Sequence, residues 1–238
     1  MPALDVFFNQ VKSDTSKYLP LLRNELNRSD HNPYFYYDGA VMLCALSNTE
    51  NDKTIAANSF TKCDLSDIPP EAYVRILNEI SNDGINITRA AVKILDDTAF
   101  TFFLPQHAMY FNQGDCLAYM LLPGKQDFYI DTLITFFKLV NPNAQKSILY
   151  TLWLSYSCKG DSLIRASMTD KTLNKDVSDF SKEMSSPELT NAIKEYINSF
   201  NKSQIDDLRK KSLKRFSDEA LDELVISTLA LRKIENCQ

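Results

Sequence analysis

Cys116 is the residue of this chain best placed to do chemistry. It stands in the string Gln113-Gly114-Asp115-Cys116-Leu117-Ala118-Tyr119-Met120, where a glycine and an acid precede an apolar helical stretch. A cysteine in the first turn of a helix has its pKa lowered by the positive end of the helix dipole, and the thiolate is the attacking form. His107 lies nine residues upstream, and Asp115 could orient it. The spacing therefore admits a cysteine-dependent hydrolase, with Cys116 as nucleophile and His107 as base.

Three features oppose that reading. Both histidines, His31 and His107, precede Cys116, whereas papain-like folds supply the histidine well downstream. No glycine-rich loop offers an oxyanion hole. Cys116 also opens an apolar stretch, where a small buried residue is ordinary. The hydrolase is thus the alternative, and no catalytic residue is assigned.

Other chemistries find little material. The five glycines stand singly at 39, 84, 114, 124 and 160, so neither G-x-G-x-x-G nor G-x-x-x-x-G-K-[ST] occurs. Two histidines and five scattered cysteines, with no C-x-x-C, do not make a metal-ligand spacing. No cofactor and no metal is expected. His107, amid aromatics, reads as a half-buried histidine bonded to backbone rather than a switch.

The one basic cluster is Arg209-Lys210-Lys211-Ser212-Leu213-Lys214-Arg215. On a helical wheel Lys210, Lys211 and Lys214 lie opposite Ile205, Leu208 and Phe216, and acids flank the run. It reads as a solvated face with i,i+4 partners rather than a phosphate site. In Tyr34-Phe35-Tyr36-Tyr37, four consecutive aromatics on a helix point several ways, some into the core and one or two outward. Asp64, Asp67, Glu71, Asp96 and Asp97 sit at helix ends, where the macrodipole explains acids without acid–base work.

The elements that position these residues are mostly helices. At 44 % hydrophobic and 24 % charged residues the 238-residue chain is globular. A 3.6-residue apolar period runs nearly throughout. Asn32-Pro33, Asn141-Pro142 and Ser186-Pro187 read as N-cap and first helical residue. The spacing predicts helices near 3–12, 16–28 (with Pro20 in the first turn), 32–46 and 51–62, one opened by Ser66-Asp-Ile-Pro-Pro that carries Tyr73, Ile76, Leu77 and Ile80 and ends at Gly84, and one near 87–96. Further helices are expected at 116–122 capped by Asp115, 126–140, 142–158 ended by Gly160, and 161–168. The last seventy residues are more polar and carry narrow stripes, among them Leu173, Val177, Phe180 and Met184. Residues 98–114, aromatic and broken by Pro105, are the one credible place for a short extended segment or hairpin.

The expected fold is all-α, an irregular array of αα-hairpins of solenoid-like kind. We read residues 1–238 as one helical domain, with a sub-boundary near 169 between the apolar and the polar part. Cys44, Cys116 and Cys158 fall in apolar helical stretches and read as reduced, which suits a reducing compartment. No leader and no bilayer-spanning stretch is expected, so the expected location is the cytoplasm. The net charge of −5 disfavours nucleic acid and anionic membranes. The expected function is non-enzymatic, namely recognition of another protein, with oligomeric state left open.

Overall fold

A computed structural model of the chain describes residues 2–104, 109–155, 157–167, 182 and 185–235, with backbone alone at 2–5, 67 and 109. The fold is all-α apart from one small hairpin. Four helices open it: α1 (Pro2–Ser13), α2 (Thr15–Asn27), α3 (Pro33–Leu46) and α4 (Glu50–Phe60). Each packs on its sequence neighbour, and α2 also reaches α4. Asn32 caps α3 as expected: its side chain accepts from the Tyr34 amide, with Pro33 at the first position. Pro20 lies further inside α2 than expected, in its second turn. Of the aromatic run, Phe35 and Tyr36 are buried and Tyr34 is exposed.

α5 (Pro70–Asn82) ends at Gly84, whose φ of 81° is the left-handed conformation that suits glycine after a helix. The helix expected over 87–96 is a single α turn, α6 (Thr88–Ala91), continued as a 3₁₀ turn to Asp96. The segment that follows is the hairpin. β1 (Phe102–Leu104) pairs antiparallel with β2 (Met109–Phe111), Phe103 facing Tyr110 and Phe102 facing Phe111. Phe102 and Phe111 are buried and stack at 4.6 Å between ring centroids. Phe103 and Tyr110 face solvent.

α7 (Gln113–Leu121), α8 (Gln126–Phe136), α9 (Pro142–Leu154) and α10 (Asp161–Ser167) follow. α7 is buried along its whole length and packs between α5 and α9. α9 stops four residues before the expected end, so Cys158 lies in a 3₁₀ turn, exposed and disulfide-bonded, not in an apolar helix. Trp153 is partly buried against the core, where its apolar surroundings in sequence place it.

Three C-terminal helices complete the fold: α11 (Pro187–Ser199), α12 (Lys202–Ser212) and α13 (Asp218–Ile234). The stripe from Leu173 to Met184 and the boundary near 169 lie outside the described residues. α11 and α12 both pack on α13 around a small apolar cluster of Ile193, Ile205, Ala230 and Leu231. Leu213, Phe216 and Leu224 belong instead to the main core, with Phe216 stacked on Tyr119 at 4.7 Å.

Two buried arginines tie these helices to the rest. Arg209 donates to the Thr228 hydroxyl (3.2 Å) and to the Leu122 carbonyl (3.4 Å), at the C-terminus of α7. Arg232 donates to the carbonyls of Ser155 (2.9 Å) and Ser157 (3.2 Å) past the end of α9, and pairs with Asp161. Terminal helix carbonyls lack intrahelical partners and carry the negative end of the dipole, so a guanidinium satisfies both needs.

Candidate functional site

The first turn of α7 organises the site. Asn112, in extended backbone, is its N-cap: the side chain accepts from the amides of Gly114 (2.7 Å) and Asp115 (3.0 Å). Asp115 returns the contact, its Oδ2 accepting from the Asn112 amide at 3.1 Å. This is a capping box. The helix therefore starts three residues earlier than Asp115 as cap would allow, and Asp115 is the third helical residue. Gln113 is buried and donates to the carbonyls of Ile94 (2.6 Å) and Asp97 (2.9 Å) while accepting from the Ser147 hydroxyl (3.0 Å). It locks α7 to the preceding 3₁₀ turn and to α9. Gly114 lets α9 approach: a Cβ there would lie 3.2 Å from Tyr150 Cδ1 and 3.1 Å from Asn112 Oδ1.

That approach brings the Tyr150 hydroxyl to the Asp115 carboxylate as a hydrogen-bond donor. Asp115 is 6 % exposed. Burial dominates its balance and raises its pKa from 3.8 to about 6, against the lowering by the Asn112 amide and Tyr150. The carboxyl thus titrates near neutrality.

Asp115 and Tyr150 line a pocket of about 920 Å³. α9 contributes Lys146 and Leu149 beside Tyr150, and the hairpin contributes Tyr110. α11 and α13 also line it, through Leu189, Ala192, Leu221, Val225 and Ile226, with Glu188 and Asp222 among them. The arrangement offers a buried acid and an aliphatic surface in one cavity.

The sequence-derived nucleophile is not part of this pocket. Cys116 is fully buried, one residue further into α7, and is not among the lining residues. Burial, and then the neighbouring Asp115 charge, push its thiol pKa upward, opposite to a thiolate nucleophile. His107 lies outside the described residues; of the other two candidates, the structure sets Asp115 against Tyr150 and Cys116 in the buried interior. Cys44 and Cys63 are also free, their thiols raised by burial to about 11 and about 12.

In the basic cluster Lys210, Lys211 and Lys214 are exposed, and Lys210 pairs with Asp206 one turn away at 2.6 Å. Arg215 pairs with Glu223, and Arg209 is buried. Among the described residues, no three of His, Cys, Asp and Glu converge on a metal position. No described helix is long and apolar enough to cross a membrane.

Sequence reasoning missed Tyr150 and the walls supplied by α11 and α13. One signal was available: Asn112 with an acid three residues later is a capping-box spacing, which sets the start of α7. Nothing in the sequence links Tyr150 to that turn. No protein-family model, no curated protein and no solved structure matches the chain.

Proposed function

We propose that the chain acts without catalysis, by recognising another protein through the outer face of the β1–β2 hairpin and the pocket beside it. The observation that carries this reading is the cross-strand pair Phe103 and Tyr110, 52 % and 59 % exposed. The buried Phe102–Phe111 stack already supplies the hairpin's hold on the core. The outer aromatic pair therefore does nothing for the fold that smaller polar residues could not do. Aromatic side chains give large contact area at small loss of conformational freedom, and they are enriched at recognition surfaces. Tyr110 also lines the pocket, so rim and cavity form one continuous surface. An irregular stack of helix pairs would present such a surface on a rigid frame.

The cysteine-hydrolase alternative needs an accessible thiolate, and the burial of Cys116 works against it. Alkylation of Cys116 in the native protein at neutral pH is expected only as fast as the fold opens. A fast phase abolished by His107→Ala would reinstate the hydrolase. The cytoplasm belongs to the same proposal: the three free cysteines support it and the disulfide at Cys158 opposes it.

Selection of a displayed peptide library against the parent tests the reading. Peptides sharing a motif should be enriched, and the double variant Phe103→Ala/Tyr110→Ala should weaken their binding by about tenfold or more while keeping the parent's circular dichroism. No enrichment, or enrichment indifferent to the double variant, would overturn it.

A further inference from the structure

We infer that the pocket is a site for a cationic group carried on an aliphatic stem, an alkylammonium or guanidinium, with Asp115 as its counter-ion. Three observations carry this.

First, among the described residues, arginine is supplied to the other two buried aspartates and not to this one. Asp52 is held by Arg23 through two hydrogen bonds of 2.6 and 2.7 Å, and Asp161 by Arg232. Asp115 receives one amide and one phenol, both neutral, and no ion pair joins it to a described residue. A buried carboxylate without a cation is among the less favourable arrangements in a protein interior.

Second, the local fold does not need the charge. α12 begins with the same capping box, Asn201 with Gln204, in which a neutral amide performs the role of Asp115. That box is exposed, whereas the acid occupies the buried one. The more demanding residue thus stands in the place where its charge faces a cavity.

Third, the pocket's surroundings fit the same ligand. Among the described lining residues, Asp115, Glu188 and Asp222 give three acids against one base, Lys146. Leu189, Val225 and Ile226 provide the surface along which an aliphatic stem would lie. This charge balance favours a cation and disfavours phosphate or carboxylate ligands.

Two sources present this chemistry: a lysine or arginine of the partner protein, or a free amine. Titrations of the parent with 1-hexylammonium, 1-hexanol and hexanoate, followed at the Asp115 amide by NMR, test the shared chemistry. Hexylammonium should bind about tenfold tighter than the alcohol, and hexanoate weaker than both. In Asp115→Asn, which keeps the capping amide oxygen, that preference should fall to about onefold while alcohol binding stays unchanged. Glu188→Gln/Asp222→Asn, away from the capping box, should reduce it by a smaller factor. Equal binding of ammonium and alcohol in the parent, or a preference that survives Asp115→Asn, would overturn the inference.

A heptapeptide with one central lysine, against its norleucine analogue, separates the sources. A partner's lysine is the source if the lysine peptide binds tighter than hexylammonium and also shifts Phe103 and Tyr110. A free amine is the source if the order reverses. Ammonium selectivity with no peptide enriched in the library would leave this site standing and remove the protein-recognition reading. Enriched peptides without any ammonium selectivity would do the opposite.

Discussion

The starts of α4 and α7 place a buried aspartate at the same position and treat it in opposite ways. Asp52 is the third residue of α4, behind the cap Thr49, and Asp115 is the third residue of α7, behind the cap Asn112. Both enjoy the positive end of a helix dipole. Around Asp52 the chain closes a complete shell: the Arg23 guanidinium, the Ser47 hydroxyl and the Thr49 contact together hold its carboxyl down at about 2. Around Asp115 it leaves two neutral donors and a cavity, and burial lifts the carboxyl to about 6. A dipole and a cap do not decide the state of a buried acid. Burial on one side and an ionic partner from another element on the other do.

Breaking the α4 arrangement should have the largest effect. Arg23→Ala leaves Asp52 buried without its cation, and the protein should lose about 3 kcal/mol at pH 7 by urea denaturation. A loss under about 1 kcal/mol would reduce the pair to the class of surface bridges. The same pair fixes a pH window. Asp52 releases its proton near 2 when folded and near 3.8 when unfolded. Its stabilisation is thus full above about 4 and lost as pH falls through about 2.

At α7 the sign reverses. Folded Asp115 keeps its proton up to about 6, whereas the unfolded chain gives it up near 3.8. Between those values the folded state binds more protons, so stability falls as pH rises from about 4 to beyond 6. Asp115→Asn removes that slope. It should stabilise the protein by about 2 kcal/mol at pH 8 and leave it nearly unchanged at pH 4. Identical slopes in parent and variant, from urea titrations across this range, would show that the two aspartates are not opposites.

The smallest expected change sharpens the contrast. Tyr150→Phe removes a donor from the Asp115 carboxylate at about 1 kcal/mol. It should move the Asp115 titration further above 6, as read from the carboxyl carbon by NMR. An unmoved titration would mean that the phenol contributes nothing to the ionised form.

The all-α fold was legible in the sequence because its signals are local. Asn-Pro and Ser-Pro openings, Gly84 after α5 and the apolar run of α3 act within one or two turns, and each stands where expected. The hairpin was legible for the same reason, as an aromatic run broken by Pro105. The site was not. Asp115 was noticed as a companion of Cys116 and His107, but its working contact is Tyr150, more than thirty residues on and brought near by the packing of α7 on α9. Arg209 looked like one more cation of a solvated run, and only the course of α12 across the end of α7 turns it inward. Cys158 reads as helical because Tyr156 falls on the stripe of α9 and Gly160 offers a stop, whereas the chain leaves the helix after Leu154.

The two buried arginines have a mechanical consequence. Side chains that meet only through apolar contact can slide past one another, since such attraction is non-directional. Arg209 and Arg232 instead clasp particular carbonyl oxygens at the ends of α7 and α9, the helices that carry Asp115 and Tyr150. α13, which bears Arg232, also lines the pocket. The spacing between α9 and α13 is therefore set like the jaws of a gauge, by directional bonds anchored at the far end of α9. Widening it by sliding α13 requires breaking the bonds of a buried guanidinium, so a lengthening series of aliphatic amines should meet a sharp upper limit of fit rather than a gradual decline.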